Sequence, residues 1–421
     1  MTSCFSQPNL LPFEQAQQII ADNLELSLSS ENIAIEKALG RVLAENVISP
    51  VNVPPHNNSA MDGYAINAES LKENKTLTLV GRAMAGAPFQ GKVEIGQCVR
   101  IMTGAKLPEG CDSVEMQENT EVKESQSNAA DETQVSFLQA VRAGQHVRYA
   151  GEDIRLDDCI LASGKTLTSV DIGTLASVGV AKVAVVKPLT VALIATGDEL
   201  KQPGEALTEG DIYESNRYFL SSMLEKLNVK VIDFGVIPDD KALITQAFID
   251  ANRQADVVIS SGGVSVGDAD YTKQVLNEQG DIGFWKIAMK PGKPFAFGKF
   301  SQSYFFGLPG NPVSALVTFY QLVVPALYQL MAAEVPKRIQ LQAKTTTDLK
   351  KAPGRMDFQR AVWSMSDGGD LEVTSTGAQG SGILTSIGKA NCFILLPQEQ
   401  GRVSAGESVT IELFDSLLLP K

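Results

Sequence analysis

Apolar and amphipathic stretches alternate in the middle of the chain. Short apolar runs at residues 191–194, 229–234 and 257–259 are typical of strands buried on both faces. Between them, apolar residues recur at helical spacing over residues 219–227 and 243–251. This β-α-β-α-β order predicts a parallel sheet with helices on both faces, and ligands of such sheets bind beyond the carboxyl ends of the strands.

The regions on either side have different patterns. Apolar spacing predicts helices over residues 11–24, from Ser30 onward, and over residues 171–179. Residues 53–145 contain short strand-like runs separated by glycine turns, which indicates a β-rich region, and the polar stretch 117–134 inside it is typical of a flexible surface hairpin or loop. After Pro336, a series of short apolar runs predicts a small all-β domain.

The composition limits the classes of function. The chain has 421 residues and a formal net charge of −13, which argues against general nucleic-acid binding because that needs a basic face. Five scattered cysteines and two histidines predict no disulfide framework, no histidine-rich metal site and a location in the reducing cytoplasm. We expect no signal peptide, and no membrane span because the most apolar segment, 322–333, is short and interrupted by Pro325.

Three glycine-bearing loops follow or interrupt the apolar runs after residue 256. One loop alone is explained equally well by a tight turn, but three at one sheet edge favour an anion site, most often for phosphate. Asn311 followed by Pro312 predicts a helix start in the last loop. Lys286 and Lys290, four apart in a strand-like segment, would share one face beside the middle loop. The loops are GGVSVG at 262–267, KPGKP at 290–294 and LPGNP at 308–312.

Acidic residues crowd the same strand ends. Glu199, Asp239 and Asp270 follow predicted strands. Helix capping explains some of them, Asp239 and Asp270 included, yet so many carboxylates would repel an anion. A hard cation such as Mg²⁺ would reconcile the two, because it binds oxygen ligands and bridges carboxylates to phosphate. By pattern alone, Asp62 and Asp153 are ordinary turn residues.

Several common site types lack support in this sequence. There is no GxxxxGK[ST], no GxGxxG and no GxSxG with a partner histidine. The serines of the glycine loops favour hydrogen bonding to phosphate over nucleophilic catalysis, because no histidine in the region could serve as their base.

Seven motifs, in order, carry a resemblance to a known family. They are NSAMDGYA at 58–65, IMTGA at 101–105, GED at 151–153, TGDEL at 196–200, SSGGVSVGDADY at 260–271, KPGKP at 290–294 and LPGNPVSA at 308–315. From about residue 11 to the C-terminus, the chain resembles the molybdopterin molybdenumtransferases, the MoeA proteins, which are similar to the E domain of gephyrin.

The resemblance implies a multidomain α/β and β fold in an elongated homodimer. Its implied domains are a discontinuous helical and extended domain I (1–52 with 146–180), a β-rich domain II (53–145), a doubly wound, MogA-like, molybdopterin-binding domain III (181–330) and a β-barrel-like domain IV (331–421). The cleft is implied to form between domain III of one subunit and domains II and IV of the other. Asp62 and Thr103 would then reach the site from the partner chain.

The reaction implied by the resemblance is insertion of molybdate into adenylylated molybdopterin, with release of AMP and assistance from Mg²⁺. Possible protein partners are the molybdopterin adenylyltransferase and molybdoenzyme acceptors. Catalytic roles are carried over to Asp62, Thr103, Asp153, Glu199, Asp239, Asp270, Lys286, Lys290 and, on looser motifs, Arg360 and Ser381. Metal binding is assigned to Glu199, Asp239 and Asp270. Substrate binding is assigned to Ser261, Gly262, Gly263, Ser265, Pro291, Gly292, Lys293, Pro309, Gly310 and Asn311.

Two other readings stay open at this point. A molybdopterin adenylyltransferase would share the domain III type of fold and its glycine–serine loop, but it needs no surrounding domains with the SAMDGYA and TGDEL motifs. A gephyrin-like scaffold would use the dimer to bind a peptide, and no peptide-groove signature is readable in the sequence. Consumption of ATP with free molybdopterin, or of molybdate with the adenylylated form, separates the first alternative from the main hypothesis.

Overall fold

The computed structural model describes residues 10–25, 29–123, 133–263 and 271–419. The helices, in chain order, are α1 (Phe13–Asp22), α2 (Ser70–Glu73), α3 (Ser169–Ser177), α4 (Asn216–Lys226), α5 (Lys241–Gln254), α6 (Tyr271–Gln279), α7 (Pro312–Thr318), α8 (Val324–Leu330) and α9 (Thr385–Gly388). Short 3₁₀ turns lie at Ile35–Lys37 and Gln117–Asn119, and one π-helical turn lies at Phe319–Val323.

The strands fall into groups that follow the domains. The first two regions hold β1 (Ser30–Ala34), β2 (Val47–Ile48), β3 (Asn58–Ser59), β4 (Gly63–Ile66), β5 (Thr76–Ala83), β6 (Gln97–Ile101), β7 (Ser113–Met116), β8 (Thr120–Lys123), β9 (Gln134–Phe137), β10 (Val147–Arg148), β11 (Cys159–Leu161) and β12 (Lys182–Val186). The middle region holds β13 (Thr190–Thr196), β14 (Leu200–Lys201), β15 (Ile212–Tyr213), β16 (Lys230–Ile237), β17 (Val257–Ser261), β18 (Asp281–Lys286), β19 (Met289–Lys290), β20 (Pro294–Lys299) and β21 (Tyr304–Leu308). The last region holds β22 (Gln340–Thr345), β23 (Met356–Met365), β24 (Leu371–Ser375), β25 (Cys392–Leu396) and β26 (Ser408–Leu413).

The first region is built from strands and one capped helix. The helix predicted from Ser30 is wrong, because β1 forms there and pairs antiparallel with β12. Ile33 and Ile35 lie two residues apart, the period of a strand, and only the turn at Ile35–Lys37 is helical. Strand β12 follows residue 181, where domain III was predicted to begin, but its pairing with β1 attaches it to the first region. Helix α3 forms as predicted, with Thr168 and Asp171 in a capping box.

The second region is a six-stranded sheet in the order β7-β4-β6-β5-β9-β8. Of the flexible surface hairpin or loop predicted for residues 117–134, the hairpin alternative agrees with the described residues, because β8 pairs antiparallel with β9 after the 3₁₀ turn. Residues 124–132 lie outside the described part of the chain. Pairing with β9 gives the polar residues of β8 partners for their backbone groups, which no local composition signal reveals.

The middle region contains the predicted doubly wound sheet. Its strand order is β16-β13-β17-β21-β20-β18, in which β16, β13, β17 and β21 are parallel, β20 is antiparallel to β21, and β18 is antiparallel to β20. The chain moves from β13 to β16 on one side and then returns to β17 on the other. This reversal makes the crevice between the carboxyl ends of β13 and β17 a topological switch point, where ligands of such sheets bind.

The helical segment after β21 continues through Pro325. Pro325 has no N–H to donate to the carbonyl four residues earlier, that of Gln321. The π-helical turn Phe319–Val323 lies directly before Pro325 in this segment. The Gln321 carbonyl instead accepts a hydrogen bond from Gln17 Nε2 at 3.1 Å. The expectation that Pro325 interrupts this segment is therefore wrong. Pro312–Leu330 is long and apolar enough to cross a membrane, but 83% of its most apolar window is buried inside the protein, as in a core helix.

The last region closes into a barrel and joins the middle region. Its strands run β23-β24-β22-β26-β25, and β25 pairs back to β23. Strand β19, which leaves the middle sheet, extends the barrel by pairing with β23. Helix α1 was predicted in domain I, but Phe13 stacks edge-on against Phe358 of β23 at 5.2 Å. The apolar face of α1 thus belongs to the core shared by the middle and last regions.

Candidate functional site

The first glycine loop begins at the switch point. Gly262 follows β17 with φ +93°, and a Cβ on it would lie 2.8 Å from the carbonyl oxygen of Thr196 at the end of β13. Its N–H donates to the Leu308 carbonyl at 3.2 Å. The close approach of β13, β17 and β21 therefore requires glycine at this position. Gly263 also has positive φ, and Ser265 lies outside the described residues.

Asn216 joins the first and third loops. Its side-chain Nδ2 donates to Ser261 Oγ at 2.7 Å and to the Gly310 carbonyl at 2.8 Å. Sequence reasoning missed this residue. An asparagine in the first turn of a helix is normally a local cap, so no pattern in the chain distinguishes the long-range contacts that Asn216 makes.

The third loop is in contact with domain IV of the same chain. Pro309 is buried, Gly310 and Asn311 are exposed, and α7 begins at Pro312 as predicted. The N–H of Val313, one of the amides expected to be free for an anion, donates to the Ser381 carbonyl at 2.9 Å. Ser381 thus meets the LPGNP loop through its backbone.

Arg360 is fully buried beneath the Ser381 loop. Its Nη2 donates to the Gly380 carbonyl at 3.1 Å and its Nε to Ser386 Oγ at 3.0 Å. Burial lowers the pKa of the guanidinium to about 10, partly offset by the charge of Asp357. In this arrangement Arg360 holds the loop that carries Ser381.

The second loop bridges the middle sheet and the barrel. Ile287 N–H donates to the Lys293 carbonyl at 2.8 Å, which closes the loop. Gly292 has φ +108°, and a Cβ there would lie 2.4 Å from the Thr318 side chain. The peptide bond before Pro291 is cis. The loop is thus packed closely against the helix that follows the third loop.

Lys286 and Lys290 do not share one face of a strand. Lys286 is the last residue of β18 and is exposed, whereas Lys290 belongs to β19 and pairs in register with Asp357 of β23. The expectation is wrong because the chain leaves the sheet between the two lysines. Lys290 Nζ lies 3.1 Å from Oδ2 of Asp357, whose side chain is only 2% exposed. Asp357 is a second residue that sequence reasoning missed.

Three carboxylates approach one another beyond β13 and β16. Gly197 has φ +147°, and a Cβ on it would lie 2.6 Å from the carboxylate of Glu199, so Glu199 folds over a glycine. The N–H of Asp239 donates to Asp198 Oδ1 at 3.0 Å. Burial, and then the charges of Asp198 and Glu199, raise the pKa of the Asp239 carboxyl. The cap of α5 is Asp240, not Asp239 as supposed.

These carboxylates fit a cation only in part. Among the described residues no three acidic, histidine or cysteine side chains lie close enough to hold one metal ion, and Asp270 lies outside the described residues. Burial first, and then the charges of Asp198 and Glu199, raise the pKa of Asp239, and a cation beside these carboxylates would offset both effects. One or two carboxylates completed by phosphate and water oxygens match the preference of Mg²⁺.

Asp62 and Thr103 form a pair on domain II. Asp62 Oδ1 accepts hydrogen bonds from the N–H and the hydroxyl of Thr103, both at 2.7 Å, and both residues are exposed. The backbone bond first, and then the hydroxyl bond, lower the pKa of the Asp62 carboxyl. Asp153 lies on an exposed turn whose N–H donates to the Val53 carbonyl. Within the described ranges, no hydrogen bond links Asp62, Thr103 or Asp153 to the three glycine loops.

The comparisons with known proteins agree with this division of the chain. The MoeA N-terminal region (domain I and II) matches residues 11–179, a probable molybdopterin binding domain matches residues 192–329, and the MoeA C-terminal region (domain IV) matches residues 342–414. A molybdopterin molybdenumtransferase from Haemophilus influenzae is 47% identical over 97% of this chain and its own full length. The chain belongs to the molybdopterin molybdenumtransferase family.

Other members of the family extend the comparison. A crystal structure of a molybdopterin biosynthesis MoeA protein from Pyrococcus horikoshii OT3 superposes with a TM-score of 0.82, at 28% identity, covering 96% of this chain and all of that one. Gephyrin from Dictyostelium discoideum is 31% identical over 96% of this chain, which spans only 62% of gephyrin. The family resemblance and the multidomain fold inferred from the sequence are therefore confirmed.

Proposed function

We propose that this protein inserts molybdenum, supplied as molybdate, into adenylylated molybdopterin during molybdenum cofactor biosynthesis, and releases AMP. The observation that carries the proposal is the contact of the KPGKP and LPGNP loops with domain IV, inside a chain that matches a molybdopterin molybdenumtransferase over its full length. The match to a probable molybdopterin binding domain spans all three loops.

The loops support binding of the phosphates of the substrate. Gly310 leaves its backbone open, because a Cβ on it would meet no atom within 4 Å, whereas Gly262 and Gly292 let their loops pack closely, and the crevice lies at the switch point. We assign contacts with the pterin phosphate and AMP to these loops. Lys290, held by Asp357 with its side chain 40% exposed, can offset the negative charge of the substrate.

Asp239 and Glu199, together with Asp270, are proposed to hold Mg²⁺. A bound Mg²⁺ would neutralise charge on the phosphoanhydride as water cleaves it into AMP and the pterin phosphate. The dithiolene sulfurs of the pterin would then bind the molybdenum of molybdate, and one of its oxygen ligands would leave as water with the two thiol protons, so that the molybdenum keeps its oxidation state. The position of the Glu199 carboxylate over Gly197, and the hydrogen bond from the Asp239 N–H to Asp198 Oδ1 that brings the two turns together, support this role.

We also propose a homodimer whose two subunits share the site, but the chain that supplies domain IV differs from the one that the resemblance implies. Domain IV reaches the glycine loops of its own chain through the Lys290–Asp357 and Val313–Ser381 contacts. The resemblance implied that domain IV of the partner chain contributes to the site. We assign that contribution to domain IV of the same chain instead. The exposed Asp62–Thr103 pair would come from the second subunit.

A mixing experiment tests the shared site. Asp62→Ala and Lys290→Met variants, each inactive alone, should regain about a quarter of wild-type activity when their subunits are exchanged in equal amounts, since one quarter of all sites then carry neither substitution. Recovery of no activity, after subunit exchange has been verified by mass spectrometry, would contradict the shared site.

We place the dimer in the cytoplasm, with an adenylyltransferase supplying its substrate and molybdoenzymes accepting its product.

The test of the reaction uses purified protein. With adenylylated molybdopterin, molybdate and Mg²⁺, AMP should appear in step with cofactor that reconstitutes a cofactor-free molybdoenzyme. With free molybdopterin and ATP, no adenylylated product should form. The reverse pattern would establish the adenylyltransferase alternative. Binding of a specific protein partner in the absence of both reactions would favour the scaffold alternative.

A further inference from the structure

Asn216 occupies an unusual place between two of the glycine loops. It is the first residue of α4 and only 7% exposed. Its single side-chain nitrogen donates both protons across the sheet edge, one to Ser261 Oγ at 2.7 Å and one to the Gly310 carbonyl at 2.8 Å. Ser261 ends β17, and Gly310 follows the neighbouring strand β21. One amide group therefore spans two loops that lie 49 residues apart in sequence (310 − 261).

The third loop has little else to hold its backbone at this point. A Cβ on Gly310 would meet no atom within 4 Å, so the residue is not packed against its surroundings. Across residues 10–25, 29–123, 133–263 and 271–419, the Gly310 carbonyl accepts no hydrogen bond other than the one from Asn216. Glycine also has the greatest backbone freedom of any residue. The position of the Gly310 peptide group thus depends on Asn216.

We propose that Asn216 is a positioning residue, which sets the separation of the Ser261 and Gly310 loops that substrate binding and metal insertion require. This inference rests on the proposed function, and Asn216 acts through Ser261 and Gly310 without touching substrate itself. Only a side-chain amide supplies two donors from one uncharged group at this length. Aspartate has the same shape, but its carboxylate would face the Gly310 carbonyl with no proton to donate.

The test compares Asn216→Ala and Asn216→Asp with Asn252→Ala. Asn252 is a matched control because it also braces a loop: its Nδ2 donates to Ser301 Oγ, and its Oδ1 accepts from Ser303 N–H and Oγ. Ser303 precedes β21, at the opposite end of that strand from the site. We expect both Asn216 variants to lower kcat on the order of 10²-fold, the effect of misplacing reacting groups by about 1 Å. Asn252→Ala should lower the thermal midpoint at least as much as the Asn216 variants do, and its kcat should equal that of the wild type.

Coupling to Ser261 gives a second readout. If Asn216 acts through Ser261, the loss of kcat in Asn216→Ala/Ser261→Ala should be clearly smaller than the product of the two single losses. Multiplicative effects would overturn the inference, as would wild-type kcat in Asn216→Ala. An equal loss of kcat in Asn252→Ala would show that the effect is only one of stability, and would overturn it as well.

Hydrogen exchange separates this inference from the proposed function. The amides of residues 260–263 and of the four residues among 308–313 that are not prolines should exchange faster in Asn216→Ala than in the wild type, and at wild-type rates in Asn252→Ala. An inactive wild-type protein would refute the proposed function alone, and the exchange rates would then decide whether Asn216 positions the loops. Unchanged exchange in Asn216→Ala would overturn the inference whatever the activity.

Discussion

The Lys290–Asp357 pair should respond unequally to the loss of its two members. The two side chains differ in exposure: that of Lys290 is 40% exposed and that of Asp357 only 2%. Asp357 Oδ1 is buried and has no partner in the described part of the chain, and Oδ2 has only Gln359 Nε2, at 3.2 Å, besides Lys290. Lys290→Met therefore leaves a buried carboxylate without its cation, whereas Asp357→Asn leaves a lysine that can turn to water.

The expected magnitudes follow from this asymmetry. Removing one partner of a fully buried ion pair costs about 3–5 kcal/mol. The loss of unfolding free energy in Lys290→Met should be smaller, about 2–3 kcal/mol, because Lys290 is partly solvated and the charge of Arg360 acts on Asp357. Asp357→Asn loses a charge-assisted hydrogen bond to a half-exposed lysine, about 1 kcal/mol. The double variant should be more stable than Lys290→Met, since it no longer buries an unpaired charge.

Urea denaturation followed by tryptophan fluorescence measures these differences. The two tryptophans are Trp285 in β18 and Trp363 in β23, one on each side of the junction that the pair spans. Equal losses of unfolding free energy in the two single variants would refute the asymmetry, and so would a double variant less stable than Lys290→Met. Lys344→Met is the control, because its pair with Asp370 is exposed on both sides and should be nearly neutral.

Three further predictions concern the acidic residues. Gly197→Ala should displace the Glu199 carboxylate, because its Cβ would lie 2.6 Å away, and should lower turnover at least tenfold while Gly204→Ala, which meets no atom, does not. Thr103→Ala should raise the pKa of Asp62 in an NMR titration, but only partly, since the backbone bond remains. Asp198→Asn, and likewise added Mg²⁺, should lower the pKa of Asp239. Because that pKa is raised in the folded protein, the stability it contributes is present at low pH and lost as the pH rises through it, so Asp239→Asn should raise the thermal midpoint at pH 7 but not at pH 3. An unchanged pKa in either titration, or equal gains at both pH values, would contradict these assignments.

The parallel sheet could be predicted because its strands are apolar on both faces. Strand β17 is buried at every position and β13 at all but its first, so their runs stand out against the amphipathic helices between them. By contrast, β1 mixes strand and helix periods within a few residues, and its pairing with β12, about 150 residues away, decides its structure.

The site was predictable only where residues carry a local signal. Glycine, proline and acidic residues at strand ends marked the three loops and the carboxylates. Asn216 and Asp357 carry no such mark, because their function lies in contacts with residues far along the chain: Ser261 and Gly310 for the first, Lys290 for the second. The even spacing of Lys286 and Lys290 predicted a shared face, but a change of sheet between them removes it.

The central claim is that the protein transfers molybdenum at a site made by the glycine loops and domain IV. Its most direct test follows molybdenum from labelled molybdate into adenylylated molybdopterin, with the wild-type protein and with Lys290→Met folded to the same extent. The account predicts one molybdenum incorporated per AMP released by the wild type, and neither event with Lys290→Met. Molybdenum incorporation by Lys290→Met at the wild-type rate, or AMP release by the wild type without incorporation, would contradict it.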